Sequence, residues 1–147
     1  MGTFTICSGG PHLAERLGGL AEDAAREGIR IVRTLTERWI DGTERFDRVG
    51  ENVLVAVAGH KVIGVGALSQ CPSVGGALRV RRFYVSPGWR RRGVARALAS
   101  QLIESGFAHA DLLTCNAGAS DAATPFWESM GFEPVTAEGI THSLRRP

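Results

Sequence analysis

A chain of 147 residues with 44% apolar and 22% charged residues has the make-up of an ordinary folded domain, and a domain of this length buries roughly two-thirds of its unfolded surface. That excludes a disordered chain, and no uninterrupted apolar run reaches the length of a membrane span. A net charge of +2 gives no general attraction to nucleic acid, and three cysteines (Cys7, Cys71, Cys115) without CxxC or paired-histidine spacing read as structural thiols with no metal.

Residues 1–10 (MGTFTICSGG) lack a basic segment, a long apolar core and a cleavage signal, and Ile6 breaks the myristoylation pattern, so the expected location is cytoplasmic. Thr3 to Cys7 alternate as a short strand, and Pro11 suits the first turn of a helix. Leu13, Leu17, Leu20, Ala21 and Ala24 then fall on one face of a single amphipathic helix ending near Gly28. Val32, Leu35 and Trp39 mark a second helix that stops around Asp41-Gly42, with Arg33, Glu37 and Arg38 on its wetter side. The loop behind it is acidic. Asn52 to Ala58 (NVLVAVA) and Lys61 to Leu68 (KVIGVGAL) are strand-like runs joined by Gly59-His60, the signature of a hairpin. A loop at 71–76 leads into a further strand from Ala77 to Val85.

Residues 80–98 read VRRFYVSPGWRRRGVARAL. The strand breaks at Ser86-Pro87-Gly88, four arginines follow (Arg90, Arg91, Arg92, Arg96), and from Val94 the apolar spacing becomes helical. A helix that starts behind Gly93 without a side-chain cap leaves up to four amides unpaired, with roughly half a positive charge from its dipole. Phosphate oxygens would satisfy both, and the arginines add forked donors. A solvated basic helix start is the plainer reading of the arginines alone. The glycines favour the anion site, since a merely soluble helix start needs no opened backbone.

The helix is expected to run to about Gly106, and His109 to Cys115 to form a strand parallel to the one ending at Val85, a βαβ unit whose ligand would lie at the carboxyl ends. Thr124-Pro125 starts a short helix that stops at Gly131. Phe132 to Thr136 and Ile140 to Leu144 close the chain as a hairpin through residues 137–139. With no linker and no repeat, residues 1–147 are expected to form one domain.

Val85-Ser86-Pro87 followed by Arg90-x-x-Gly93-x-Ala95, with Phe126-Trp127-Glu128-Ser129-Met130-Gly131-Phe132 downstream, resembles the GNAT superfamily of acetyl-CoA-dependent N-acetyltransferases over almost the whole chain. The resemblance implies a mixed α/β (α+β) fold: a mostly antiparallel sheet of six to seven strands flanked by about four helices, with a splayed parallel pair at the cofactor site. It implies acetyl-CoA as co-substrate and an amine acceptor, small molecule or protein, with no membrane partner, no nucleic acid, and a monomer or homodimer. The strand edge at Phe83, Tyr84 and Val85 would pair with the pantetheine. The amides and side chains of Arg90, Arg91, Arg92, Gly93, Val94, Ala95 and Arg96 would take the pyrophosphate, and Phe126 would line the same site. A backbone N–H near Val85 would polarise the thioester carbonyl, and the acceptor amine would attack it directly.

The chain also departs from the family. Trp127 stands where many members place a tyrosine that protonates the departing thiolate, and Tyr84, in the strand, is the only tyrosine. Ser120 stands where members often carry asparagine, while Asn116 lies slightly earlier at the strand end; water, Asn116 or Cys115 would serve as proton donor, or the ammonium intermediate would protonate sulfur directly. Arg79 stands where some members carry a glutamate base. Glu51, His109, Asp121 and Glu128 are candidates for that base by residue type only. An acidic group of Glu37, Asp41, Glu44, Asp47 and Glu51 would suit a cationic acceptor, but a solvated face with alternating arginines is the preferred reading. Two rival functions stand beside acetyl transfer: a coenzyme-binding module without catalysis, which the Trp127 departure favours, and a binder of single-stranded nucleic acid, for which the arginine-rich strand and loop offer Phe83, Tyr84 and Trp89 for stacking. Gly64-Val65-Gly66 opens no dinucleotide fingerprint, because no third glycine and no helix follow.

Overall fold

The computed structural model describes residues 2–118 and 120–147. Its elements are β1 (Thr5–Ser8), α1 (Leu13–Arg16), α2 (Gly18–Arg26), α3 (Ile31–Asp41), β2 (Asn52–Ala58), β3 (Lys61–Gln70), β4 (Leu78–Val85), α4 (Val94–Phe107), β5 (Leu112–Cys115), α5 (Ala123–Ser129), β6 (Glu133–Ala137) and β7 (Ile140–Arg145), with a 3₁₀ turn at Pro87–Trp89. The strands form one sheet in the order β1-β2-β3-β4-β5-β7-β6, antiparallel at every pairing except β4 with β5. This is the expected mixed α/β sheet with its parallel pair, carrying five α-helices where about four were expected.

Two boundaries move for local reasons. The single first helix is two, because Gly18 and Gly19, poor helix formers, follow Leu17, whose N–H closes tightly on Ala14 O at 3.4 Å. The apolar face survives the break: Leu13, Leu17, Leu20 and Ala24 are fully buried. β5 is shorter than residues 109–115, because the His109 and Ala110 amides both close on Gly106 O and belong to the C-terminal turn of α4.

The sheet carries a core on each face. Helices α1 to α3 pack on Val53, Val55, Val65, Ala67 and Tyr84. Helices α4 and α5 pack on Leu68, Leu78, Val80, Leu113 and Cys115 through Leu98, Leu102, Trp127 and Phe132. Burying side chains of this size stabilises by about 1.5–3 kcal/mol each. Gly66 lets the α4 layer close in, since a Cβ there would lie 2.6 Å from the Leu102 side chain and 2.9 Å from Phe83. No helix among the described residues is long and apolar enough to cross a membrane.

Candidate active site

The site starts from a defect in β4. Its parallel pairing with β5 covers only Leu78–Val80 against Leu113–Cys115. Beyond that, β4 advances three residues (Arg81 to Tyr84) while its other partner β3 advances two (Ala67 to Val65), so one residue of β4 is extra. Arg82 sits in this bulge at φ 55°, a left-handed backbone rare outside glycine. A bulge bends its strand, and with β5 ending at Cys115 the β5-side edge of β4 beyond Val80 is left unpaired among the described residues, a wedge at the end of the parallel pair.

Ladder geometry determines which amides face the wedge. The Ser86 N–H donates to Ile63 O at 2.8 Å, and antiparallel pairs alternate between bonded and non-bonded residues. Tyr84 therefore turns its backbone to β3, while Phe83 and Val85 turn theirs to the wedge. The expected edge of three residues reduces to two, and the correction concerns Tyr84. Its ring lies under α2 and α3, and its hydroxyl donates to Glu27 Oε1 at 2.5 Å. Burial, with that carboxylate, pushes the phenol well above its usual range.

At the mouth of the wedge, Gly93 caps α4 at φ 81° with no side-chain cap. None of the amides from Arg91 to Arg96 donates to an acceptor among the described residues; the next, Ala97, returns to Gly93 O at 3.0 Å. Six consecutive donors, with Arg91 also at positive φ (62°), form a concave anion cradle. A Cβ on Gly93 would meet nothing within 4 Å, so glycine serves the backbone angle and leaves the approach open. These features fit a pyrophosphate.

The four loop arginines separate by task. Arg90 makes a forked pair with Glu27 (2.9 and 2.6 Å) and donates from Nε to Val85 O at 3.2 Å. The Arg90 hydrogen bonds, then that of Tyr84, hold the Glu27 carboxyl below its usual range, and the pairing raises Arg90. With Ser86 Oγ donating to Asp23 at 2.9 Å, this pins the end of β4 to α2. The Arg90 side chain is thus part of the scaffold and not a free phosphate ligand. Arg92 lies 5.2 Å over the Trp89 ring. Arg96 reaches Ser129 Oγ at 3.2 Å and Met130 Sδ at 3.4 Å, joining α4 to α5. The Arg91 side chain is exposed and has no partner among the described residues.

Trp127 is buried in an aromatic stack, with ring centroids 4.9 Å from Phe83, 4.9 Å from Phe126 and 5.3 Å from Phe132. It packs and offers no titratable group. Phe126, half-buried, tilts against Phe83 at 5.7 Å on the α4 and α5 side. Asn116 spends its amide on structure: Oδ1 accepts from Gly118 N at 2.9 Å and Nδ2 donates to Gly139 O at 3.2 Å. The Cys115 thiol is pushed up to about 12 by burial, with Arg79 pulling the other way.

The candidate bases are scattered. Glu51 accepts from the Arg48 and Gln70 amides, Glu128 meets His142 Nε2 at 2.9 Å, His109 follows α4 at the far end of β5, and Asp121 is exposed. Nor is the acidic group a free site for a cation. Glu44 is held by Arg82 (2.6 and 3.1 Å), Arg81 (3.3 Å) and Arg38 (3.6 Å), and Asp41 accepts from Thr43. Burial would raise the Glu44 carboxyl, but the Arg82 hydrogen bond and the charges of Arg82, Arg81 and Arg38 bring it below its usual range. Sequence reasoning missed this cluster: Glu44 and Arg82 lie 38 residues apart, and no local signal marks a bulge at an arginine.

Residues 20–145 match the family model described as the acetyltransferase (GNAT) domain. The chain belongs to the GNAT acetyltransferase family. A protein from Exiguobacterium sp. 255-15 assigned to the acetyltransferases superposes with a TM-score of 0.80 at 26% identity, covering 97% of this chain and 93% of the other. A GNAT-family acetyltransferase from Staphylococcus aureus Mu50 shares the fold at 13% identity (TM-score 0.77, 99% and 100% covered). So does the PaiA N-acetyltransferase of Thermoplasma acidophilum, whose structure contains coenzyme A (14%, TM-score 0.74, 97% and 99% covered). No curated protein sequence matches significantly.

Proposed function

We propose that residues 1–147 form a single cytoplasmic N-acetyltransferase domain that moves an acetyl group from acetyl-CoA to a primary amine by direct attack in a ternary complex. The observation that carries this is the run of six unpartnered amides, Arg91 to Arg96, at the open end of the split between β4 and β5. Acetyl-CoA supplies the activated acyl group; the chain supplies position. Arg91 to Arg96 would hold the pyrophosphate, and the wedge-facing backbones of Phe83 and Val85 would meet the pantetheine, Phe126 flanking them. An arm laid along that edge runs toward the apex where β5 rejoins β4 at Val80 and Cys115. A wedge-facing N–H of Val85, or of Phe83 nearer the apex, would polarise the thioester carbonyl. Asn116, tied at both ends, holds the end of β5 in place. The neutral amine forms the C–N bond, the C–S bond breaks, and the nitrogen's proton passes to sulfur directly or through water. Tyr84 faces the other way and Cys115 is too weak an acid to give it.

Acetyl-CoA is expected to raise the melting temperature, and an amine panel to release thiol from it. No shift at saturating acetyl-CoA would exclude the donor. The second reading is a coenzyme-binding module without catalysis, favoured by Trp127 filling the usual tyrosine position with a buried ring. Binding without turnover on any amine selects that reading.

A further inference from the structure

On the sheet face opposite α4, a polar row replaces core. The registers join Ser69 of β3 to Arg79 of β4, Arg79 to Thr114 of β5, and Thr114 to Ser143 of β7. Register partners share a face, so four adjacent strands present hydroxyl, guanidinium, hydroxyl and hydroxyl in one line. Their chain neighbours Leu68, Leu78, Val80, Leu113 and Cys115 point the other way, into the core under α4. Ser69 is 7% exposed and Thr114 0%, while Arg79 and Ser143 are half-buried, so the row is sunk at two of its members and reachable at the other two.

The row is under-used. Arg79 Nε is buried without a hydrogen-bond partner among the described residues. The Ser69 hydroxyl reaches only Gln70 O at 3.3 Å, and that of Thr114 only Cys71 Sγ at 3.5 Å. A buried donor left unpaired is unfavourable, and an incoming oxygen acceptor would satisfy it. Next to the row, a cavity of about 320 Å³ opens between Ser69, Gln70 and Arg81 and the loop joining α3 to β2. Its lining sets Arg45, Arg48 and Arg81 against Glu44, Asp47 and Glu51. Glu44 is already shared by Arg38, Arg81 and Arg82, so the β4 wall of the cavity, formed by Arg81, is positive, and Arg79 follows two residues back along the same strand.

Arg79 and Thr114 form the pair immediately before Val80 and Cys115, where the two strands part. On the transferase reading, which this inference requires, the thioester lies on the wedge edge between Phe83 and that apex, and the group attached to the acceptor nitrogen extends past the apex over the row. We infer that the acceptor is a small amine carrying a carboxylate, as a free amino acid does, with the carboxylate held by Arg79 and the Ser69 hydroxyl at the cavity wall. A guanidinium fork matches two carboxylate oxygens, and a cavity of this volume suits a small molecule.

The test sets each of the twenty standard amino acids against its α-carboxamide in thiol release from acetyl-CoA, with wild type, Arg79→Gln and Arg79→Lys. The acid is expected to lead its carboxamide by at least about tenfold in kcat/KM, mostly through KM, for the amino acid that fits. Arg79→Gln should bring the pair near parity and Arg79→Lys restore part of the gap, while an unchanged acetyl-CoA melting shift shows that the variant is folded. Where wild type turns over no amine, calorimetric titration of the same pairs into the protein, with and without coenzyme A, decides. Acids bound more tightly than carboxamides, and weakened by Arg79→Gln, support the inference. Carboxamides favoured equally, no acid bound, or a loss in Arg79→Gln common to both members of a pair overturn it. An absent acetyl-CoA shift in wild type defeats the transferase reading and leaves the titration to judge the carboxylate site separately.

Discussion

Two arginine clusters, one at the bulge in β4 and one in the loop that follows the strand, handle charge in opposite ways. In the loop, only Arg90 meets a carboxylate; Arg91, Arg92 and Arg96 stay at the surface around a cradle made of backbone. In the strand, Arg81 and Arg82 converge with Arg38 on Glu44, whose side chain is 10% exposed. Desolvation first, then the charge of Arg82, lowers Arg81 from its usual range. The loop therefore keeps its donors free for an anion from solvent, while the strand spends its ion pairs on holding an unfavourable backbone. One cluster is built to bind and the other to shape.

The largest test of that contrast is at the cradle. Gly93→Asp puts a carboxylate among the six amides and should abolish the acetyl-CoA melting shift, a loss of at least about 100-fold in affinity, since an unpaired like charge costs several kcal/mol. Gly93→Ala has space for its Cβ and should cost only the left-handed backbone, about 1–2 kcal/mol of stability, with coenzyme binding retained. Equal loss of binding in both would show that the angle matters and the open approach does not.

Next in size is Glu44→Gln, which leaves the part-buried Arg82 without its forked partner. It should destabilise by about 2–4 kcal/mol and lower the melting temperature by roughly 4–16 °C. The pH dependence has a definite sign. The folded Glu44 carboxyl lies below its ordinary 4.5, so its contribution is present above that value and is lost as pH falls through the lower folded value. Chemical denaturation between pH 6 and pH 3 should show this loss in wild type and less of it in Glu44→Gln. A flat comparison would remove Glu44 from the shaping role.

Smaller effects follow on the side pinned to α2. Tyr84→Phe removes the hydroxyl that donates to Glu27 and should cost about 1 kcal/mol in a denaturant titration. Thiol release should persist, because the phenol faces α2; its abolition would make Tyr84 the proton donor after all. Smallest is Arg91→Ala, where an exposed, unpartnered charge is removed. Coenzyme affinity should fall only a few-fold, with a shallower salt dependence and an unchanged melting temperature in the absence of ligand.

The backbone of the proposed cofactor end was readable because its geometry is local. The run from Val85 through Gly93 to Ala95 names a strand end, a break, a glycine at positive φ and an uncapped helix start within eleven residues, and the structure shows each of them in place. The same reading misjudged what the side chains do. It treated Arg90 as a phosphate ligand because its partner Glu27 lies 63 residues away, and counted Tyr84 on the free edge because ladder parity depends on β3. The acceptor end was not readable at all, since Ser69, Arg79, Thr114 and Ser143 come from four strands and meet only through register.

The sequence by itself determined the order of elements, the uncapped helix start behind Gly93, and the absence of a phenol at the position of Trp127. These are properties of spacing and residue type, which short-range sterics and hydrogen bonding translate directly into backbone. Only the tertiary structure decided where β4 bends, which of its amides face the wedge, which arginines are already paired and which polar side chains line up across the sheet. Those outcomes depend on contacts between residues far apart in the chain, through the bulge at Arg82 and its hold by Glu44, and no local pattern encodes them.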